Sequence, residues 1–447
     1  MRSFELPQHD ARLKAAACLT PERVLERCRD TLVDIDADER QQWTQCHGLE
    51  AIYQPGRAVC AAFVLLADPS MAPDRYWAEG RIIYLRAPVR EPVSRRGRVV
   101  QIGGQRFELY RFPNDRRLTG LRHTTARDST AALWHQCAGH DAPTPNNLQR
   151  YLIKYVPERK YVARIRCRDE AAPNRRLRNG VAIRLCRGGA AETLAQRHAH
   201  AHRNAETRKL PIKFPTVLAC DARRDLLAVT WIKGRSILEI LPDDLDSAIW
   251  PRCAEALDAF HHLDLPQLPR VTLDTLVQSV GRMSGDLATC LPSLTREFST
   301  LASRISETLE AYPPADPVTL HNDWHFDQLR LQSRRSAILD LERISRGDPM
   351  IDIANFTVQL RMLGVRDDYD LSPEAAATYA RACLHAHGSP HVGEAARRFR
   401  AYAAISALTL AWGMLRHLRP GWRRLAQQAL KEADFWFERH TATLPAT

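Results

Sequence analysis

The spacing of apolar positions changes several times along the chain, and the changes divide it into parts. Residues 1–47 read as helical: Thr20 followed by Pro21 and Glu22 supplies an N-cap and first turn for an amphipathic run that continues to Ile35. From Leu49 the alternation becomes β-like. AIYQPGRAVCAAFVLL reads as a hairpin with Pro55-Gly56 at its turn, RIIYLRA (Arg81–Ala87) as a further strand, and RFELYRFPNDRRLTGL (106–121) as a strand with a turn-rich tail.

A second β pattern begins at Tyr151. In YLIKYVPERKYVARIRC the series Tyr155-x-Pro157-x-Arg159 repeats Tyr53-x-Pro55-x-Arg57, which marks an internal repeat of a hairpin unit. The second copy runs on into the strand GVAIRLC (180–186), the helical AAETLAQRHAHAHRNAE, and two strands, FPTVLAC and LLAVTWI. Five strands with one helix between the third and fourth is the order found in the small lobe of a protein kinase, and Thr230-Trp231-Ile232-Lys233-Gly234-Arg235 then falls at its hinge. After Ser236 the pattern is helical to the end, interrupted only by a strand–loop–strand region at 318–340.

Composition narrows the class. With 447 residues and 45% hydrophobic content the chain can bury a sizeable core, and at about 150 residues per domain it divides into two or three parts. Its N-terminus is polar and no run approaches the ~18 apolar residues of a membrane span, so the expected location is the cytoplasm. Eleven cysteines stand singly with no C-x-x-C pair, as expected for reduced thiols and not for a disulfide framework or zinc ribbon. The net charge of +12 would suit a nucleic-acid binder, but an Arg-rich solvated surface gives the same sum, and nucleic acid is not the expected partner. The distribution says more: between Leu241 and Pro317, twelve acids face five arginines.

The chemistry concentrates in VTLHNDWHFDQLRLQSRRSAILDLERISRGDPMIDIANF (318–356), two short apolar strands with polar side chains at the loop ends. Phosphoryl transfer needs a carboxylate to orient the attacking hydroxyl and accept its proton, and hard oxygen ligands to hold Mg²⁺ on the nucleotide phosphates. Asp323 can supply the first; Gln328 and Asp340 can supply the second.

This stretch resembles the aminoglycoside phosphotransferase and choline kinase-like family, on His321-Asn322-Asp323, Gln328, Asp340 and Gly347-Asp348-Pro349-Met350-Ile351-Asp352. A thinner likeness extends to LLAVTWIKGRSI and AEALDAFHHLDLP, so that it covers about Tyr151 to Phe356. The resemblance implies an α+β, protein-kinase-like bilobal fold: a small antiparallel β lobe with one helix (148–235), a larger mainly helical lobe (236–447), and an extra N-terminal β-rich extension (1–147). It also implies Asp323 as catalytic base, His321 as support of its loop, Asp340 with Gln328 as metal ligands, and Asp352 as an anchor accepting backbone hydrogen bonds of the loop.

Two departures stand out. The amide is Gln328 where Asn is usual, and the lysine that grips the nucleotide phosphates is replaced by Arg184, with Glu192 as its expected partner. Thr230 and Ile232 are the expected nucleotide-binding positions of the hinge. No G-x-G-x-x-G loop is present, and the turn Val156–Lys160 is expected to cover the phosphates in its place. Glu342 reads equally well as a second metal-side carboxylate or a salt-bridge partner. His198, His200 and His202 read as surface histidines of a helix, His261-His262 as packing or capping residues, and the Trp- and Arg-rich 413–440 as a terminal helix. The expected activity is an ATP- and Mg²⁺-dependent transfer of phosphate to a hydroxyl of a small molecule such as an amino sugar, aminoglycoside or amino alcohol. The alternative is a catalytically weak, nucleotide-binding regulatory protein.

Overall fold

The period-two stretches become two five-stranded antiparallel sheets. In the computed structural model, which describes residues 4–10, 12–32, 37–68, 81–93, 95–126, 128–139, 148–167, 177–240, 249–333, 335–363, 373–386 and 393–438, they lie in one of two units. That unit comprises Met1–Ala195, Val217–Trp231 and Met414–Trp422; the other comprises Gln196–Thr216, Ile232–Gly413 and Arg423–Thr447. The N-terminal extension and the small-lobe strands therefore share a unit.

The first sheet contains β1 (Gln45–Gln54), β2 (Ala58–Leu66), β3 (Arg81–Ala87), β4 (Arg98–Ile102) and β5 (Gln105–Arg111), in the order β1-β2-β3-β5-β4. The turn between β1 and β2 falls at Pro55-Gly56, where Gly56 takes φ +67°. The second sheet contains β6 (Leu148–Val156), β7 (Lys160–Cys167), β8 (Val181–Leu185), β10 (Val217–Asp221) and β11 (Leu226–Thr230), in the order β10-β11-β8-β7-β6. A helix, Ala190–Thr207, follows β8, as the sequence order requires. A two-residue strand, β9 (Ile212–Lys213), belongs to another sheet. The sheets pack on one core: Tyr84, Tyr110, Trp134, Tyr155, Tyr161 and Ile183 are among its buried members. Burying such rings removes large apolar areas from water.

Before β1 the chain is less helical than its pattern suggests. A helix begins at Pro21 after an extended Thr20 but ends at Thr31, a short one spans Ala37–Gln42, and β1 has begun by Gln45. Residues 33–36, with Ile35, lie outside the described residues.

The second unit is mainly helical, with helices over Ile249–His261, Leu273–Cys290, Thr295–Ala311, Met350–Arg361 and Pro373–Ala386. Thr272 opens one of them through a capping box, its hydroxyl accepting the Thr275 N–H while Thr275 Oγ1 accepts the Thr272 N–H. Among these helices lie two small sheets. One has the order β12 (Arg235–Ser236)-β14 (Leu329–Leu331)-β15 (Ser336–Ile338)-β9; the other pairs β13 (Val318–Leu320) with β16 (Ser345–Gly347). Gly347 is needed there: a Cβ would stand 2.8 Å from Leu320 Cδ1 and 3.2 Å from Val271 Cβ. Among the described residues no helix is long and apolar enough to cross a membrane, and none of the eleven cysteines forms a disulfide.

Candidate active site

Two strand pairings gather the predicted residues of 318–356. In the β14–β15 hairpin Leu329 faces Ile338, and the Leu339 N–H donates to the Gln328 carbonyl at 2.9 Å, so Gln328 and Asp340 sit at the same end. In the β13–β16 pair Leu320 faces Ser345, which sets residues 321–323 beside 343–345. Asn322 closes the contact, donating through Nδ2 to the Arg343 carbonyl (3.1 Å) and to Ser345 Oγ.

The fully buried Asp352 carboxylate organises the loop. It accepts the His321 N–H at 2.7 Å and the Asn322 N–H at 2.8 Å, while His261 Nε2 lies 3.1 Å from Oδ2. Charge-assisted bonds of this length are strong when water is excluded. They hold Asn322 in the left-handed region at φ +60°, a backbone state that Asn tolerates better than most residues. The His321 ring, also buried, donates from Nε2 to the Leu339 carbonyl at 2.8 Å, which links the loop to the hairpin end. His261 proves more specific than a packing residue: it completes the support beneath Asp352. Only its apolar helical surroundings show in the sequence, and its partner lies 91 positions away.

Asp323 stands between two fixed residues. On one side is Asn322; on the other, buried Trp324 donates from Nε1 to the Tyr379 hydroxyl (2.9 Å), and its carbonyl accepts from Asn355 Nδ2 (2.9 Å). Burial pushes the Tyr379 phenol well above its ordinary pKa, so it stays a neutral partner. The Asp323 side chain is 31% exposed, and its carboxylate lies 3.5 Å from Arg343 Nη1. A half-exposed carboxylate on a rigid loop can accept a proton from a docked hydroxyl.

Gln328 donates from Nε2 to His325 Nε2 (3.1 Å), a contact that engages the amide nitrogen and leaves the Oε1 carbonyl as the oxygen ligand. Asp340 follows with φ +55°, another non-glycine residue in the left-handed region. One carboxylate and one amide oxygen at a shared hairpin end fit a hard cation that keeps its other positions for phosphate and water, as Mg²⁺ does. No group of three or more His, Cys, Asp or Glu side chains arranged to hold a metal occurs among the described residues. Glu342 is exposed, and its backbone carbonyl accepts from Arg197 Nη1 at 2.7 Å.

The Gly-Asp-Pro aspartate has its own task. Asp348, buried, accepts the Met350 N–H (2.9 Å) at the start of the helix, the Ala315 N–H (3.1 Å) and Arg398 Nε (2.7 Å). It thus fixes where the Asp352 helix begins. Sequence spacing shows the motif but not Arg398, 50 positions downstream.

In the small-lobe strands Arg184 is flanked across β8 by Val162 and Leu227, and Thr230 ends β11 opposite Val181. Ile232 follows it, half-buried. Glu192 is exposed in the first turn of its helix. The turn 156–159 departs from its expected role. Glu158 N–H donates to Asp115 Oδ2 (3.0 Å), Arg159 N–H to the Val156 carbonyl (3.0 Å), and Glu158 is buried. Its backbone donors are already engaged, so they are not a phosphate cradle. His198 is likewise buried and not a surface residue.

Comparison with known proteins gives the class. Residues 146–388 match the phosphotransferase enzyme family, APH, and since this is more than half of the chain, the protein belongs to that family. It is an enzyme of the phosphotransferase class, with a mixed α+β fold. Among curated proteins none matches the sequence. Similar solved structures include aminoglycoside phosphotransferase APH(2'')-Ib in its ADP-bound form, with 14% identity, TM-score 0.45, and coverage of 68% of this chain and 98% of that one. Another is a choline/ethanolamine kinase family protein from Mesorhizobium loti, with 18% identity, TM-score 0.46, and coverage of 71% and 95%. A third is a thermostable mutant of aminoglycoside phosphotransferase APH(4)-Ia in ternary complex with ADP and hygromycin B, with 16% identity, TM-score 0.49, and coverage of 70% and 100%.

Proposed function

We propose that this phosphotransferase uses ATP and Mg²⁺ to phosphorylate a hydroxyl of an amino-bearing small molecule. The observation that carries the reading is the loop 321–328, in which half-exposed Asp323 projects from a backbone held by Asp352, next to the hairpin end bearing Gln328 and Asp340.

In this reading Asp323 orients the acceptor hydroxyl and takes its proton as the oxygen attacks the γ-phosphorus; the bond to the departing ADP breaks and a phosphate monoester forms. Arg343 holds the Asp323 carboxylate in place before the acceptor arrives. Asp340 and Gln328 Oε1 would hold Mg²⁺, which when bound neutralises charge on the phosphates. Arg184, on β8, supplies the positive charge for the phosphates, as a planar fork where an ammonium is usual, and Thr230 and Ile232 flank the base.

The helices over Ile249–His261, Leu273–Cys290 and Thr295–Ala311 expose Glu255, Asp274, Glu297, Glu307 and Glu310, and the connection after the first exposes Asp264, a field that favours a cationic acceptor. Asp243, Asp244 and Asp246 of the same acidic stretch lie outside the described residues. A panel of amino sugars, aminoglycosides, amino alcohols, neutral sugars and nucleosides tests the acceptor class. Turnover with an amino-bearing compound well above that with its neutral analogue is expected; equal turnover would contradict it.

A further inference from the structure

The hairpin repeat is part of a larger duplication. Both five-stranded sheets have one topology: a three-stranded meander whose third strand pairs with the fifth, with the fourth at the edge. Ahead of each sheet stands an Asp-x-Arg-Leu sequence, Asp10 to Leu13 and Asp115 to Leu118, that anchors the first turn of its own sheet in the same way. Asp10 Oδ1 accepts the Arg12 and Leu13 N–H groups at 3.1 and 3.0 Å, and its Oδ2 accepts the Tyr53 hydroxyl (2.5 Å) and the Gly56 N–H (2.7 Å). Asp115 Oδ1 accepts the Arg117 and Leu118 N–H groups at 2.8 and 2.9 Å, and its Oδ2 accepts the Tyr155 hydroxyl (2.8 Å) and the Glu158 N–H (3.0 Å). Gly56 and Glu158 even share the left-handed backbone state, at φ +67° and +58°. Eight equivalent hydrogen bonds, four in each copy, define one structural unit used twice.

The copies differ where a ligand would bind. Arg184 on β8 pairs across with Val162 and Leu227; the equivalent position on β3 is Arg86, paired across with Cys60 and Glu108. In the first copy that arginine is consumed internally. Arg86, 4% exposed, lies 3.0 Å from Glu108 Oε1 and 3.4 Å from Glu158 Oε1, and donates to the Pro88 carbonyl at 2.7 Å. Glu108 is further saturated by the Arg90 N–H and the Tyr110 hydroxyl. In the second copy the neighbouring strand offers apolar Leu227 at that place.

Glu158 belongs to the β6–β7 turn of the second copy, so the first copy's arginine grips the second copy's turn. Arg117 adds a further contact at 3.6 Å to Glu158 Oε2. We propose that the N-terminal sheet is a ligand-free duplicate of the nucleotide-lobe sheet, and that Arg86 and Asp115 act as positioning residues, clamping Glu158 so that Val162 and Arg184 face the nucleotide in fixed register. This rests on the phosphotransferase reading for the nucleotide itself, but the duplication and the clamp stand on the geometry alone.

The test compares Asp115→Asn and Glu158→Gln with Asp10→Asn, which breaks the same constellation in the copy that carries no nucleotide. ATP affinity is measured by calorimetry without acceptor, and amide hydrogen exchange is followed at both turns. Asp115→Asn and Glu158→Gln should accelerate exchange at 156–160 and weaken ATP binding about tenfold, the scale of one lost charge-assisted bond in the first and of a lost buried ion pair in the second. Asp10→Asn should accelerate exchange at 54–58 and leave ATP affinity unchanged. Folded Asp115→Asn and Glu158→Gln proteins that bind ATP as the wild type does would overturn the clamp, as would an equal loss in Asp10→Asn. A wild type that binds no ATP would overturn the phosphotransferase reading before any variant is compared.

Discussion

Asp352→Asn isolates the anchor beneath the catalytic loop while conserving its size. The native carboxylate, itself fully buried, accepts the His321 N–H at 2.7 Å and the Asn322 N–H at 2.8 Å, and faces His261 Nε2 at 3.1 Å. An asparagine offers one oxygen, so its NH₂ must confront one of the two backbone donors. One buried donor left without an acceptor costs about 1–3 kcal/mol, and the other bonds lose their ionic component, for a total of roughly 3 kcal/mol. The loop that carries Asp323 shifts as well, and displacement of a reacting group by about 1 Å can lower turnover ~100-fold. Chemical denaturation monitored by tryptophan fluorescence reads the first quantity; coupled detection of ADP release reads the second. ATP affinity should hold, since Asp352 touches no proposed nucleotide ligand. An Asp352→Asn protein with the wild-type unfolding midpoint and wild-type kcat would refute the role assigned to this carboxylate.

Other consequences are equally direct. Asp340→Ala should weaken ATP binding at saturating Mg²⁺ by at least about tenfold while leaving metal-free ATP binding in place, as shown by calorimetry with and without Mg²⁺. Gly347→Ala places a methyl 2.8 Å from Leu320 Cδ1 and should cost about 1–3 kcal/mol in denaturant unfolding, with the β13–β16 pair the first to exchange its amides. Buried Glu50 gives an acid-sensitive contact. Burial alone would raise its carboxyl, but His417, Lys154 and Arg419 outweigh that and bring it from 4.5 down to about 2. A depressed carboxyl stabilises the fold fully above the unfolded value and loses that contribution as pH falls through the folded one, so about 3 kcal/mol should vanish between pH 4.5 and 2. In Glu50→Gln the wild-type loss of stability across that window should shrink, measured by denaturation at each pH.

The segment proposed to carry the chemistry was legible because its residues are contiguous: a loop and a hairpin of 32 positions gather His321, Asp323, Gln328, Asp340 and Asp352 through local pairing. Alternation showed most strands, and the repeated Tyr-x-Pro-x-Arg disclosed a duplication whose extent only the topology shows. The anchors Asp10 and Asp115 escaped notice because each acts on a turn more than 40 residues later, beyond any periodic window. β4 escaped although Gly103-Gly104 marks its turn, since Arg98 to Ile102 is too exposed to alternate cleanly. The turn 156–159 looked like a phosphate cradle from its place in the order; its burial follows from Arg86 and Asp115, which local sequence cannot place beside it.

The most direct test of the account is Mg²⁺-dependent ATP consumption by the wild type and Asp323→Ala across the acceptor panel. Acceptor-stimulated formation of ADP and a phosphate monoester, abolished in Asp323→Ala while ATP affinity stays within about twofold, is the predicted result. An Asp323→Ala protein that still transfers phosphate at the wild-type rate, or a wild type that binds ATP tightly and transfers it to no acceptor, would contradict it.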